Sequence, residues 1–354
     1  MYRELTTLSI LTTLRSMASR PTLKDVAEQA GVSFKTVSRV VNDEPGVAPA
    51  MAERVRKAVG ELGYRRNHSA QVLRRSDARL QTVAVVHADG TNPFAAAVHA
   101  AFEQHLRTEA DTLVVSASSR EDAGEHDRLV DLFTERQVDG IAVIPVGDAP
   151  GPALSRELDR GTPIVFIDRE PGVDADVVAS DHRGGARAAT RHLLAHGHRR
   201  VAFLGSREQS ESIRQRHAGF IDAIREAGAD PTARFGLTTP ELADAAVTEL
   251  LAGSDAPTAL FAAQNLAAVG AVRSLHRLGR QHEIALVAFD HLEIADLVEP
   301  AITTAPQNAN ALGRTAAELL LRRIDGETSE PTRIVVPVEL IPRGSGELTP
   351  LSRP

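Results

Sequence analysis

The amino-acid sequence predicts an all-α head, built on a helix-turn-helix, joined to a two-lobed α/β body with doubly wound parallel sheets. Three observations predict this fold class. Residues 21–42 contain two short helical patterns with a glycine between them. From residue 80 onward, short runs rich in Val and Ile alternate with helical patterns, in two successive sets. The chain has 354 residues, which is enough for more than one domain.

The helix-turn-helix is predicted by residues 21–42, PTLKDVAEQAGVSFKTVSRVVN. Gly31 lies where the first helix should end, because glycine enters the left-handed conformation without strain. Ser33 can cap a second helix by accepting a bond from one of its free amides. The apolar positions that would pack the two helices together are Leu23, Val26, Ala27, Ala30, Val37, Val40 and Val41.

The outer face of the second helix is short, polar and cationic, which suits entry into a DNA major groove. Its residues are Phe34, Lys35, Thr36, Ser38, Arg39 and Asn42. A small helical hairpin with a merely solvated outer face is the alternative interpretation, since a bare motif match is only a hypothesis. A third helix is predicted from Pro49 to Leu62, where Gly63 should stop it.

The string LKDVAEQAGVS-x-x-TVSRVVN narrows this choice, because it resembles the signature of the lac repressor/galactose repressor family of bacterial transcription regulators. The resemblance covers nearly the whole chain from about residue 20. It implies a sequence-specific regulator, most often a repressor, controlled by a small sugar-like effector bound between the lobes of a periplasmic-binding-protein-like body. The implied partners are double-stranded operator DNA, that effector and a second copy of the chain, with a tetramer as the alternative to the homodimer.

The same resemblance assigns roles to the residues of the head. Phe34, Lys35 and Arg39 should face base edges, whereas Thr36 and Ser38 should hold phosphates. Residues 67–79 match a hinge helix that enters the minor groove, where Leu73 would wedge between bases. A plain flexible linker is the alternative for this stretch. All residues expected to contact DNA are Thr22, Ser33, Phe34, Lys35, Thr36, Ser38, Arg39, Asn42, Asn67 and Leu73.

Charge is distributed unevenly along the chain. Residues 1–80 contain 14 Lys and Arg against 8 Asp and Glu, whereas residues 81–354 contain 26 against 39. A basic head on an acidic body is typical of a phosphate-binding module joined to a sensor, although the acidity also serves solubility. The chain has no cysteine, which excludes disulfides and thiolate metal sites. No apolar run approaches the roughly 18 residues of a membrane span, so a cytoplasmic location is expected.

Composition, pattern and resemblance together predict the domain organisation. We expect an extension that is disordered or not translated, with Met17 as the true start, then a DNA-binding domain, a hinge, a body and a tail. Their bounds are 1–20, 21–66, 67–79, 80–345 and 346–354. By the resemblance, lobe one comprises 80–178 and 305–330, and lobe two comprises 179–304 and 331–345.

Within the body, near-continuous Val and Ile runs predict buried parallel strands at 82–87, 112–117, 141–146, 163–168, 201–206, 258–263 and 284–290. Ligands of such sheets bind beyond the carboxyl ends of the strands. The polar and aromatic residues found there, or near it in the following helices, can hold the hydroxyls of a ligand by charge-assisted bonds. The candidate effector residues are Asn92, Phe94, Asp168, Arg216, Asn265, Phe289, Asp290 and Gln307.

The resemblance gives Arg216 and Asp290 the strongest roles, as groups that hold the effector. Two departures put the identity of the effector in doubt. Gln264-Asn265 stands where the family has Asn-Asp, and the segment from Ala288 to His291 replaces Gly-Tyr-Asp-Asp. For Asp168, a helix cap or an interlobe ion pair with Arg169 is the alternative to ligand binding.

The sequence lacks the short motifs of common enzymes: GxSxG, a Walker A loop, GxGxxG and HExxH. We therefore expect no catalysis and no cofactor. A sugar-binding or sugar-processing α/β protein whose helical head does not regulate transcription remains the alternative. His192, His196 and His198 could suggest a metal site, but histidines at a helix C-terminus before Gly197 suit its dipole, so no metal is expected.

Overall fold

The computed structural model describes residues 21–41, 44–64, 81–90, 92–109, 112–170 and 172–351. The chain divides into two compact units, residues 1–80 and 81–354. The predicted extension 1–20 and hinge 67–79, with Asn42, Asn67 and Leu73, lie outside the described residues. Within the described part of the chain, no helix is both long and apolar enough to span a bilayer.

The described part of the head contains three helices: α1 (Leu23–Ala30), α2 (Phe34–Val41) and α3 (Pro49–Leu62). Gly31 ends α1 in the left-handed conformation at φ 61°, and Ser33 Oγ accepts from the Thr36 amide at 3.1 Å. Both features agree with the sequence prediction. The buried core of the head comprises Val26, Ala30, Val37, Val55 and Ala58.

The first part of the body alternates strands and helices as predicted. Its elements are β1 (Gln81–His87), α4 (Pro93–Glu109), β2 (Thr112–Ser118), α5 (Ala123–Thr134), β3 (Gly140–Val143), α6 (Pro152–Asp159), β4 (Ile164–Ile167) and β5 (Asp176–Ser180).

The second part continues the same alternation. Its elements are α7 (His182–Ala195), β6 (Arg200–Leu204), α8 (Glu211–Ala227), β7 (Asp230–Arg234), α9 (Pro240–Ala252), β8 (Ala259–Ala262), α10 (Asn265–Arg277), β9 (Ala285–Phe289), β10 (Thr303–Ala305), α11 (Ala309–Ile324) and β11 (Arg333–Val336).

The strands form two parallel sheets, which define the two lobes. Lobe one has the order β11-β5-β4-β3-β1-β2, and lobe two has the order β10-β9-β8-β6-β7. In lobe one, Val83 and Val85 pack against α4 and α11, whereas Ala84 and Val86 pack against α5 and α6. Burial on both faces explains why these strands are continuous apolar runs. Lobe two is covered likewise by α9 and α10 on one face and by α7 and α8 on the other.

The predicted division into lobes was wrong at the end of the chain. We expected residues 331–345 in lobe two, but β11 pairs in parallel with β5 of lobe one, where Arg333 is opposite Val177. The chain returns to lobe two after β11, because the Ile341 amide donates to the Thr304 carbonyl at 2.7 Å. The lobes are thus joined by crossings after β5, after β10 and after β11.

Candidate functional sites: a cationic helix and an interlobe cluster

The first candidate site is the outer face of α2. Val37 is fully buried on the inner face, which turns Phe34 and Lys35 outward, and the Phe34 residue is 42% exposed. Lys35 and Arg39 are four residues apart and therefore share one stripe of the helix. The Arg39 Nε lies 4.0 Å from the Glu44 carboxylate, and about half of each side chain is exposed. An exposed pair of this kind is weak, so a phosphate or a base can replace Glu44.

Two residues predicted to contact DNA also cap helices. Thr22 forms a capping box with Asp25 at the start of α1: the Thr22 amide donates to Asp25 Oδ2 at 2.6 Å. These bonds hold the pKa of Asp25 below its ordinary value. Ser33 Oγ lies 2.9 Å from Thr36 Oγ1 in the turn before α2. Both hydroxyls lie at helix N-termini, a place where backbone phosphates are often held.

The second candidate site is a cluster of polar side chains at the carboxyl ends of the strands of both lobes. Asp168 follows β4 of lobe one and Asp290 follows β9 of lobe two, and both residues are buried. Each adopts the left-handed backbone conformation, with φ of 70° and 72°. Non-glycine residues rarely hold this conformation, and strain of this kind is concentrated at functional sites.

Arg216, on α8, is the centre of the cluster. Its Nη1 donates to the Ala263 carbonyl at 2.6 Å, and its Nη2 lies 3.4 Å from Asp290 Oδ1. The guanidinium carbon stacks 4.0 Å from the centre of the Phe289 ring. Phe289 is fully buried, so its visible role is to support Arg216, and its contact with an effector stays a prediction.

His182 joins the two lobes through this cluster, although the sequence did not single it out. Arg216 donates to His182 Nδ1 from Nε at 3.4 Å, with its Nη2 also 3.3 Å away. Because a guanidinium can only donate, Nδ1 accepts and Nε2 carries the proton. That Nε2 donates to the Asp168 backbone carbonyl at 2.9 Å. His182 opens α7, directly after a strand that the sequence did not predict, and no motif marks it.

The Asp168 carboxylate is ionised although it is buried. Burial raises its pKa, but the His182 contact and the charges of Arg216 and Arg169 outweigh that effect and lower it. Arg169 is held mainly by Glu121, since its Nη2 donates to Glu121 Oε1 at 3.1 Å. Its Nε lies 3.9 Å from Asp168 Oδ2, so the alternative ion pair is a weak contact within lobe one.

Gln307, in the second crossing, and Asn265, at the start of α10, complete the cluster. Gln307 Nε2 donates to Asp290 Oδ1 at 2.6 Å, and the Asn265 amide donates to Oδ2 at 3.2 Å. Asn265 Nδ2 reaches across the lobes to Asn92 Oδ1 at 3.1 Å. Asn92 Oδ1 also accepts from the Phe94 amide at 3.0 Å. The eight candidate effector residues are therefore linked through this network.

A cavity of about 420 Å³ adjoins one end of the cluster. Phe94, Asn265 and Gln307 belong to both the cluster and the cavity wall, and the remaining wall is mostly apolar. This volume falls in the range of small-molecule sites, which combine apolar walls with a few polar groups.

The three histidines around Gly197 make hydrogen bonds within the body. His192 bonds Glu347, and His196 Nδ1 lies 2.8 Å from the His192 carbonyl. The buried His198 contacts Thr258 Oγ1 at 2.9 Å and the Leu348 carbonyl at 2.8 Å. Among the residues that the structure describes, no group of three or more histidines and carboxylates could hold a metal ion.

Comparison with known proteins defines the class of the molecule. Residues 22–67 match the family model "Bacterial regulatory proteins, lacI family", and residues 190–346 match "Periplasmic binding protein-like domain". The chain thus combines a DNA-binding head with a ligand-binding type of body, as a helix-turn-helix transcription regulator does.

Relatives match over almost the whole chain. The transcriptional regulator CelR of Thermobifida fusca is 35% identical, over 92% of this chain and 98% of its own. The regulator PtxS of Pseudomonas aeruginosa is 34% identical, over 92% and 96%. The lac repressor dimer bound to operator and the anti-inducer ONPF superposes with a TM-score of 0.78 at 27% identity, covering 93% of this chain and 99% of that one. The chain belongs to the LacI family of bacterial transcription regulators.

Proposed function

We propose that this regulator is a repressor whose affinity for operator DNA is controlled by a small-molecule effector, a sugar or related polyol, bound between the lobes. The observation that carries the proposal is the interlobe network. Asp168 of lobe one contacts His182, and His182 bonds Arg216 of lobe two. Arg216 in turn contacts Asp290, which also accepts from Gln307 of a crossing. A ligand that touches these groups touches both lobes and can therefore change how they close.

Structures of relatives support each half of the proposal. A structure of CelR is described as a complex with cellobiose, and a lac repressor structure is described as a dimer on its operator. For this chain, the proposed effector residues are Asn92, Phe94, Asp168, Arg216, Asn265, Phe289, Asp290 and Gln307. The proposed DNA-binding residues are Thr22, Ser33, Phe34, Lys35, Thr36, Ser38, Arg39, Asn42, Asn67 and Leu73.

We propose a homodimer, acting on DNA in the cytoplasm, as the working form. Two heads would read half-sites one helical turn or multiples apart, so the operator should be near-palindromic. We also propose binding without catalysis at the interlobe cluster. The lowered pKa of Asp168 makes it a poor general acid, and both oxygens of Asp290 already accept protein hydrogen bonds.

Selection of random duplexes by the full chain, followed by binding titrations with and without sugars, tests the proposal. We expect enrichment of a two-fold symmetric site, binding by two chains per duplex, and a change in affinity when an effector is added. Selection of an asymmetric site, or of no site, would contradict the DNA half. Operator affinity that ignores every compound bound by the body would contradict the effector half.

A further inference from the structure

We infer that the interlobe site takes an uncharged polyhydroxylated ligand, a neutral saccharide, and rejects sugar acids, sugar phosphates and nucleobases. The inference rests on the proposed effector function and specifies the ligand of that same site. Three features of the site support it: its cations are already paired, the helix ends around the cavity are already capped, and its buried oxygens are acceptors.

Both cations of the cluster are already matched by acceptors. Arg216 is held by Asp290, by the Ala263 carbonyl and by His182 Nδ1. Arg169 donates to both oxygens of Glu121, at 3.1 and 3.4 Å, and to the Pro145 carbonyl at 2.9 Å. With Asp168 included, carboxylates outnumber guanidinium groups in the cluster. An anionic ligand would therefore meet repulsion with no unmatched cation to offset it.

The helix N-termini around the cavity have acceptors too. The first residues of α4, α10 and α11 all line the cavity, and such helix ends attract anions when their amides are free. Here the Phe94 amide donates to Asn92 Oδ1 at 3.0 Å and the Asn265 amide to Asp290 Oδ2 at 3.2 Å. At the start of α11, Asn308 Oδ1 accepts from the Ala311 amide at 2.9 Å. A phosphate would have to displace these side chains.

A buried acceptor of the described cluster has no partner. Gln307 Oε1 makes no hydrogen bond, and Gln307 is more than nine-tenths buried. Asp168 Oδ1 makes no well-aligned hydrogen bond but lies 3.3 Å from His182 Nε2, and Arg169 Nε lies 3.9 Å from Asp168 Oδ2. Because Asp168 is ionised, its oxygens can only accept. Accepting oxygens of this kind suit the hydroxyls of a saccharide, which can donate to them.

A nucleobase would need flat aromatic faces, and the cluster offers few. One face of the fully buried Phe289 is covered by Arg216, and Phe166 is fully buried in the core of lobe one. Phe94 alone among the cluster's phenylalanines lines the cavity. The apolar wall that remains suits the carbon faces of a sugar ring more than a base sandwiched between rings.

The test is a matched series of ligands on the full-length chain. D-glucose, cellobiose and other neutral mono- and disaccharides are titrated calorimetrically, each beside its aldonic acid and its sugar phosphate, with hypoxanthine as the nucleobase. We expect a neutral saccharide to bind, and its acid and phosphate to bind about tenfold more weakly or worse. An acid, a phosphate or hypoxanthine that binds as tightly as every neutral sugar, or a series in which nothing binds, overturns the inference.

A charge variant tests whether the pairing of Arg169 causes the rejection of anionic ligands. Glu121→Gln removes the main partner of Arg169 and should improve binding of the acid relative to the neutral sugar by about tenfold. Glu125→Gln, which disturbs the exposed Arg128 pair on α5, should leave that ratio unchanged. An unchanged ratio in Glu121→Gln overturns the charge argument. Operator affinity, measured on the same samples, separates the two claims: a charged ligand that alters it refutes the ligand class only, whereas a bound sugar that does not alter it refutes effector control.

Discussion

Arg39 is the residue of the head for which the structure supports the sharpest experiment. Its charge is on the exposed stripe of α2, and its partner Glu44 is 4.0 Å away and half exposed. Arg39→Ala should reduce the preference for operator over random DNA by about 1–3 kcal/mol, because an arginine bound to guanine discriminates by that amount. Fluorescence anisotropy on both duplexes measures it, with thermal stability expected to stay near that of the wild type.

The control for this variant is Arg56→Ala on α3, an exposed arginine whose Nη1 lies 3.7 Å from Glu53. It should leave the specificity ratio unchanged. If Arg39→Ala weakens binding to operator and to random DNA equally, Arg39 holds a phosphate and not a base.

In the body, Arg216 is the residue for which the structure supports the sharpest experiment. Arg216→Ala should still bind operator but should lose the response to effector, since the side chain links Asp290, His182 and Phe289. Operator titrations with and without the sugar found by calorimetry measure the response. Arg225→Ala, an exposed arginine on the same helix, is the control. An unaltered response in Arg216→Ala would remove this residue from the site.

At the scale of elements, single glycines end two helices of the head: Gly31 ends α1 and Gly63 ends α3. Gly31 ends α1 with φ 61°, whereas Gly60 lies inside α3 with open space around it. Gly31→Ala should destabilise the head by about 1–2 kcal/mol, because a Cβ is strained in the left-handed region. Gly60→Ala should stabilise α3 by about 0.5–1 kcal/mol. Amide exchange in the head of the full chain measures both, and effects of the same sign would contradict the argument.

The sequence predicted elements where burial made their pattern strong. β1, β4 and β8 are buried on both faces and appear as unbroken apolar runs. β7 and β11 were missed because both are short, largely exposed edge strands, with sequences DPTAR and RIVV. β5 (DVVAS) and β10 (TTA) were also missed although both are buried, because their sequences contain only short apolar runs. Without β11, the predicted third crossing fell between residues 330 and 331, before this strand, whereas the structure has the crossing after it.

The candidate site was predictable to the extent that it follows from strand ends. Asp168 and Asp290 come directly after strong strands, so their position at the sheet edge could be expected. His182 follows β5, which the sequence did not predict. Glu121 follows β2 by a loop and acts only through Arg169, so no local pattern marked it. Contacts between loops that are distant in the sequence depend on the tertiary structure, so the sequence pattern alone did not predict them.

At the scale of the whole body, polar links between described residues join the lobes. Among them are Asp168 with His182, Asn92 with Asn265, and Asp148 with Arg214. The Asp148–Arg214 pair is about half exposed and should contribute little, whereas the other two links are largely buried within the cluster. An effector can shift the closure of the lobes only by binding the two arrangements with different affinity, and the buried links are where that difference can arise.

Stability of the whole chain should fall in mild acid because lobe one buries neutral histidines. Burial, with nearby His99 and His126, lowers the pKa of His87 to about 4, and burial lowers the pKa of His126 to about 4. His126 Nδ1 lies 3.2 Å from Ser119 Oγ, and the charges of Asp127, Glu121 and Arg169 act on this ring. The unfolded chain binds these protons near pH 6.5, whereas the folded chain binds them only near pH 4.

The free energy of unfolding contributed by each histidine is therefore complete above about pH 6.5 and is lost as the pH falls towards 4, by up to about 1.4 kcal/mol per pH unit. Urea denaturation of the full chain at pH 7, 6, 5 and 4.5 measures the slope. His126→Gln should reduce it, because a glutamine of similar polarity takes up no proton, whereas His282→Gln at an exposed position should not. A slope that is the same in wild type and His126→Gln would mean that the acid sensitivity arises elsewhere, in carboxylates such as Asp168 and Glu347, whose lowered pKa values place their own loss of stability at more acidic pH.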